Sequence, residues 1–501
     1  MKKSIVLVIL DGWGLGRPDN TNPVYLVNPP VFNYLKNNHP SGSLQASGIA
    51  VGLPWGEEGN SEVGHLTLGA GRVIYQHFPR IELAINDGSF FKNPALNQAL
   101  AHAQKNHAAV NLVGLLSESN VHASFNLLQT LTSWFGKSAP VHLHLFADGK
   151  DSPPRSFLQL LHRLSLVGGR LASVAGRYYA LDRDGHWERT RLVYEALLGR
   201  MPAADGYDIS RFVSGQYEKD LADEHLEPTT INAQAAIQAG DAVVFFNFRE
   251  DGIRQIAESF VNPDFNHFST NLPPDILSVT ITRYWEKPPG GNAIPVAFPP
   301  QTTKNTLGEV LAQNNKLQLR VAETEKYAHV TYFFNGLKEK VLKNEYRILV
   351  PSRNLARPEE APEMMADEIT NRVIQVINEG VMDFILVNYA NADVIAHTGN
   401  FRAAIAAVKN LGETINRLLK AAAAQEATLV ITADHGNIEK MIDYWTGRPE
   451  TKHDSNPVPI YIAAKNLERK ELNGVLSDVA PTILKLLKIP QPAEMTGQSL
   501  I

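Results

Sequence analysis

Three segments of the sequence end an apolar run on an acid or an acid–histidine set. SIVLVIL stops at Asp11, LVNYANADVIAH carries Asp393 and His397 in D-x-x-x-H spacing, and ITADHGN carries Asp434 and His435. Aspartate together with neutral imidazole suits Mn²⁺, Zn²⁺ or Fe²⁺, whereas calcium and magnesium sites rarely use histidine. One aspartate after a strand is commonly just a helix cap; three such sets in one chain point to a metal centre. His453, in TKHDSNPVP before another apolar run, is a further candidate ligand. Ser61 in GEEGNSEVGH is the candidate nucleophile. Gly59 and Gly64 flank it, so the backbone can turn sharply and approach a phosphate closely. A hydroxyl beside a divalent ion has a lowered pKa and can attack phosphorus. The ordinary alternative is a serine cap with Glu62 in the first helical turn and His65 as a packing residue.

Such residues converge when strands share one carboxyl edge, where ligands gather in open α/β sheets. The pattern predicts this. Ser4–Leu10, Ala109–Leu116, Val141–Phe146, Ala242–Phe248, Phe384–Val387 and Ala427–Ile431 are continuous apolar runs, the mark of parallel strands covered on both faces. Helical stretches such as Phe157–Leu166, Glu188–Leu198 and Ala403–Ala424 lie between them. The fold class is α/β with βαβ units. The proline- and glycine-rich segment Lys287–Pro300 reads as a linker, and a second boundary falls near Gly71–Pro79. Metal-type residues lie before about residue 75 and after about 390. One domain is therefore expected from both chain ends, residues 1–75 and 297–501, with residues 76–296 inserted.

Composition bounds the function. The 501 residues carry 47 Lys plus Arg and 52 Asp plus Glu, a net charge of −5, which argues against a nucleic-acid or anionic-membrane binder. With 44% hydrophobic and 20% charged residues the chain reads as globular. It has no cysteine, which excludes disulfides, thiolate nucleophiles and Cys-ligated metals. The short N-terminal apolar run meets Asp11 and does not read as a secretory signal, and no apolar stretch is long enough to span a bilayer. A cytoplasmic protein is expected.

The motifs DGWG, GNSEVGH, GAGRVIYQ, GRYYALDRD, WER, FFNFR, EKYAHVTYFFNG, NYANADVIAHTG, TADHGN, NPVPIYI and DVAPTILKLL…EMTGQSLI resemble those of the cofactor-independent phosphoglycerate mutases of the alkaline-phosphatase-like superfamily. The resemblance runs from the first strand to the last residue, in family order. It implies a phosphatase-like metal domain built from both chain ends and an inserted substrate-binding, phosphotransferase domain. It implies interconversion of 3-phosphoglycerate and 2-phosphoglycerate through a phosphoserine. The family uses two Mn²⁺ ions in many bacterial members, other divalent metals elsewhere, and no 2,3-bisphosphoglycerate. Asp393, His397 and His453 match the ligands of one metal; Asp11, Ser61, Asp434 and His435 match those of the other. Ser61 matches the phosphorylated serine, Lys326 a lysine near the transferring phosphate, and Asp151 a general acid/base. His122, Arg183, Arg189 and Arg249 match substrate-binding residues. The resemblance also implies a monomer and closure of the inserted domain to exclude water.

The substrate pocket departs from the family pattern. D-G-R-D becomes DGKD, with Lys150 for arginine, which keeps the charge but loses the planar fork. F-R-P-D-R becomes FREDG, so Gly252 replaces an arginine, with Arg254 two residues on. G-G-V-H-S-H becomes SNVHAS, with Ser124 where a second histidine is common, and Trp55 stands where a smaller or acidic residue is usual. These changes keep two alternatives in view. One is a metal-dependent phosphatase or phosphomutase acting on another phosphoester; the other is a degenerate metabolite-binding paralogue.

Overall fold

Runs without polar alternation become strands buried on both faces. Ile5–Leu10 and Phe384–Tyr389 are buried at every residue, as expected for the centre of a covered parallel sheet. The structure is a computed structural model and describes residues 4–201, 208–301 and 303–501. The chain forms two compact units, Met1–Gln76 with Gln301–Ile501, and His77–Pro300.

The first unit holds an eight-stranded sheet. Its order is Glu345–Val350, Gln318–Glu323, Phe384–Tyr389, Ile5–Leu10, Thr428–Thr432, Val458–Ala463, Ser41–Gln45 and Glu471–Val475. The first five strands are parallel, in registers such as Ile5 opposite both Phe384 and Thr428. Val458–Ala463 runs antiparallel to both neighbours, so the sheet is mixed and not wholly parallel. The long helix Phe401–Ala424 starts at its Asn400 cap, whose Oδ1 accepts from the Ala403 amide at 3.1 Å. It buries Ala404, Val408, Leu411, Ile415 and Leu418, one apolar stripe against the core.

The second unit holds seven strands in the order Thr229–Thr230, Arg170–Gly176, Val141–Ala147, Val110–Leu116, Ala242–Phe245, Leu277–Thr282 and Val296–Phe298. All neighbours are parallel except Thr229–Thr230. The proline-rich segment is therefore not all linker: Val296–Phe298 pairs at the sheet edge, where flanking prolines remove no ladder bond from a central strand. No helix among the described residues is long and apolar enough to cross a membrane.

Candidate active site

Every candidate metal-type residue but His453 and Ser61 follows a parallel strand of the first unit. Asp11 follows Ile5–Leu10, Asp393 and His397 follow Phe384–Tyr389, Asp434 and His435 follow Thr428–Thr432, and Lys326 follows Gln318–Glu323. Ser61 opens the helix Ser61–Ala70, but the cap is Asn60, whose Oδ1 accepts from the Val63 amide at 3.0 Å. The Ser61 hydroxyl is thus spared capping. Neither flanking glycine makes a positive-φ turn. Gly64 lies inside the helix, where a Cβ would sit 2.7 Å from that of Asp434; it serves close packing.

Ser61 Oγ lies 3.0 Å from Asp11 Oδ1, 2.9 Å from His435 Nε2 and 2.8 Å from Lys326 Nζ. It has two proton acceptors and one cation within reach. His435 Nδ1 donates to the Gly436 carbonyl, which leaves Nε2 as the acceptor facing the serine. Lys326 Nζ also lies 2.6 Å from Asp11 and 2.6 Å from Asp393. Burial works against the ammonium, but Asp11, Asp393 and Asp434 outweigh it and hold its pKa above the ordinary value. Burial likewise opposes ionisation of Asp393, yet the Lys326 ammonium beside it holds that carboxyl well below the usual range.

Three residues of this site carry no sequence signal of their own. His65 is fully buried; its Nδ1 donates to the Ser61 carbonyl at 2.8 Å and its Nε2 accepts from Asn388 at 2.9 Å. Asn388 also donates to Asp11 at 2.7 Å, and Asn437 donates to Asp393 at 2.8 Å.

Three features fit divalent cations. Asp11, Asp393 and Asp434 are buried, and Lys326 is the one ammonium among them; burial and the neighbouring Asp434 push the Asp11 carboxyl up, so three carboxylates sharing one ammonium can all ionise only with further positive charge beside them. Asp434 Oδ2 is buried without a well-formed hydrogen bond, the His65 Nδ1 that lies 3.1 Å from it being directed to the Ser61 carbonyl. His397 and His453 each donate Nδ1–H to a backbone carbonyl, Thr451 and Gly59, at 2.8 Å. Their Nε2 lone pairs then face each other at 3.1 Å and face Asp393 Oδ1 at 3.2 and 3.3 Å. Lone pairs so placed repel until a cation or proton sits between them. Among the described residues, Asp11, Asp434 and His435 form one group able to hold a metal, and Asp393, His435 and His453 another.

The second unit gathers a separate charged cluster, again at strand carboxyl ends. His122 follows Val110–Leu116, Asp148 and Asp151 follow Val141–Ala147, Arg177 follows Arg170–Gly176, and Arg249 and Asp251 follow Ala242–Phe245. Arg177 bonds Asp151 at 2.7 Å, Asp148 at 2.5 Å and His122 Nε2 at 3.2 Å. Asp251 pairs with Arg183 at 2.5 Å and Arg249 at 3.0 Å, and lies 3.8 Å from His122. Burial, with Arg177 and Arg249, pushes the His122 pKa down, so its imidazole is neutral. Three expected substrate residues have other partners. Lys150 is exposed and pairs with Glu224 at 3.1 Å. Arg189 pairs with Asp182 at 3.0 Å and stacks on Tyr178. Arg254 donates to the Tyr284 carbonyl at 2.8 Å. Arg177, the second residue of GRYYALDRD, joins the cluster together, and no spacing in the sequence marks it.

A family model described as the Metalloenzyme superfamily matches residues 3–491. The chain is 42% identical over 506 residues to a 2,3-bisphosphoglycerate-independent phosphoglycerate mutase of Ectopseudomonas mendocina, covering 100% of this chain and 98% of that one. It is 43% identical over 524 residues to a 2,3-bisphosphoglycerate-independent phosphoglycerate mutase 2 of Methanosarcina barkeri, covering 100% and 99%. The chain belongs to this mutase family. A crystal structure of Leishmania mexicana phosphoglycerate mutase at low cobalt concentration aligns over 100% of this chain and 98% of its own, with TM-score 0.55 and 26% identity. The mutase family membership accounts for the α/β architecture and for a donor set built for metal.

Proposed function

We propose that the protein interconverts 3-phosphoglycerate and 2-phosphoglycerate by passing the phosphoryl group to and from Ser61, without 2,3-bisphosphoglycerate. The observation that carries this is the Ser61 hydroxyl, free of capping and set between two proton acceptors and the Lys326 ammonium. Asp393, His397 and His453 would hold one divalent ion, and Asp11, Ser61, Asp434 and His435 another, with Mn²⁺ the suited metal for mixed carboxylate and imidazole donors. Such ions supply electrophilic stabilisation of phosphoryl oxygens and favour the ionised serine.

The chain's own residues do the rest. Ser61 loses its proton toward Asp11, since the one free nitrogen of His435, Nε2, is the atom it would offer the ion. Oγ attacks phosphorus in line as the bond from phosphorus to the glycerate oxygen breaks, and Asp151 gives that oxygen a proton. Lys326 neutralises charge on the phosphoryl oxygens. The glycerate turns, its other hydroxyl yields a proton to Asp151, and that oxygen takes the phosphoryl group back from Ser61. Arg183, Arg249 and His122 bind the carboxylate and phosphate, the guanidinium fork being matched to both. Lys150, Arg189 and Arg254 have lesser roles, their partners being Glu224, Asp182 and the Tyr284 carbonyl and not the Asp251 and His122 cluster that Arg183 and Arg249 join.

The test is conversion of 3-phosphoglycerate to 2-phosphoglycerate with Mn²⁺ and no bisphosphoglycerate, repeated after chelation and with Ser61→Ala. Metal-dependent turnover lost in the variant is expected. Release of inorganic phosphate without isomerisation would replace the mutase reading by a phosphatase one.

A further inference from the structure

Three loops carry candidate ligands: residues 10–16 with Asp11, residues 433–440 with Asp434 and His435, and residues 453–457 with His453. One fully buried carboxylate accepts a donor from each. Glu439 Oε2 accepts from the Gly14 amide at 2.9 Å and the Asn437 amide at 2.8 Å, and Oε1 accepts from Asn456 Nδ2 at 3.1 Å. Glycines close the space around it. A Cβ on Gly14 would lie 2.1 Å from Oε1, and one on Gly436 2.3 Å from the same atom. The carboxylate is thus locked in place by shape as well as by donors. The connections continue to the ligands, none of which Glu439 itself hydrogen-bonds. Asn437 donates its side-chain amide to Asp393, the Ile438 amide donates to the Gly12 carbonyl at 3.0 Å, and the Gly12 amide donates to Asp434 at 3.2 Å.

We propose that Glu439 is a positioning residue of the metal centre, its carboxylate fixing the mutual spacing of the three ligand loops and thereby the affinity for divalent metal. The inference rests on the metal reading of Asp11, Asp434, His435 and His453. Groups that orient metal ligands from behind commonly change affinity ten- to a hundredfold.

The full-length protein, Glu439→Gln and Asn456→Ala are compared in two measurements. The first is hydrogen exchange of the segments holding the Gly14 and Asn437 amides, on metal-free protein. In Glu439→Gln one oxygen becomes an NH₂ group facing donors, and exchange there is expected to quicken about tenfold or more. The second is Mn²⁺ titration by loss of the free-ion electron paramagnetic resonance signal, without substrate. Glu439→Gln is expected to bind about ten- to a hundredfold more weakly. Asn456→Ala frees only the His453 loop, so one of two ions weakens and the other stays within about twofold. Unchanged Mn²⁺ affinity in Glu439→Gln, even with lower thermal stability, overturns the proposal and leaves a structural role. If that variant fails to fold, Asn456→Ala decides, and wild-type affinity at both ions overturns it. A wild-type protein that binds no Mn²⁺ would defeat the underlying metal reading. The exchange measurement separates that failure from failure of Glu439 to hold the loops.

Discussion

Arg177 is the residue whose loss the structure lets us price most closely. Its side chain is 13% exposed and its Nη1 lies between Asp148 and Asp151. Asp148 is buried, so Arg177→Met leaves a carboxylate without its cation. Stripping the partner from a buried ion pair costs about 3–5 kcal/mol when nothing else compensates. Here Ser117 Oγ at 2.6 Å and the Lys150 and Asp151 amides at 3.2 and 3.1 Å still donate to Asp148. The loss then approaches that of a charge-assisted hydrogen bond, about 2–3 kcal/mol. The Asp151 pair, whose carboxylate is 26% exposed, adds less than about 1 kcal/mol once solvent screening is allowed for. Guanidinium unfolding should therefore show the variant about 2–3 kcal/mol less stable. Arg177→Lys should recover part of this, since an ammonium keeps the charge but not the fork that spans two acceptors. Turnover should fall with kcat more than KM, because Asp151, the proposed proton donor and acceptor, loses the group that orients it. An Arg177→Met protein within about 0.5 kcal/mol of wild type and with unchanged kcat would refute both the energetics and the orienting role.

Ser61→Ala should reduce isomerisation to background while leaving Mn²⁺-dependent thermal stabilisation measurable, and chelation should abolish turnover reversibly, with Mn²⁺ restoring it. Arg254→Ala should leave KM within about twofold, since its guanidinium is bound to the Tyr284 carbonyl; a tenfold rise would place it on the substrate, at about 1.4 kcal/mol. His144 gives a pH prediction. It is buried between Ser173 and Asn111, and burial pushes its pKa down to about 3. The unfolded chain takes up this proton below about pH 6.5, and the folded one refuses it until about pH 3. Stability is therefore full above about pH 6.5 and falls by roughly 1.4 kcal/mol per pH unit below it. Urea unfolding from pH 6 to 4 should show a shallower dependence in His144→Asn than in wild type, and equal slopes would remove His144 as the cause.

Strands buried on both faces announced themselves as apolar runs, and so the central strands and the ends bearing Asp11, Asp393 and Asp434 were legible. Gln318–Glu323 was not. It reads QLRVAE and buries Gln318, Arg320 and Glu323, so its polarity hides a strand that delivers Lys326. Edge strands fail for a related reason: Glu345–Val350 is half exposed and obeys no continuous pattern. At the site, acids and histidines at strand ends could be named from type and spacing. The residues that orient them could not. His65, Asn388, Asn437 and Glu439 act through contacts with residues up to hundreds of positions away, and buried asparagine or glutamate has no spacing rule. Their one trace is indirect, in the glycines of DGWG and DHGN, whose missing side chains make room for Glu439.

The departures in the recognition cluster fit together. Gly252 stands in the first turn of the helix Glu250–Val261, and a Cβ there would lie 3.0 Å from Leu181 Cβ and 3.3 Å from the Leu181 carbonyl. Leu181 belongs to ALDRD, the loop that carries Arg183. The helix and loop are thus closer than a side chain at 252 permits, and in that arrangement Arg183 and Arg249 converge on the single carboxylate of Asp251. The missing arginine and the tight loop are one feature. Gly252→Arg alone should cost about 1–3 kcal/mol through overpacking against Leu181. It should not lower KM for phosphoglycerate, because the added cation would displace the loop that presents Arg183. Joined with Leu181→Gly, which removes the Cβ that would lie 3.0 Å away, the arginine should fit and KM should fall. A lower KM for the single variant at unchanged stability would mean that the loop yields freely, and that glycine at 252 is not what holds Arg183 against Asp251.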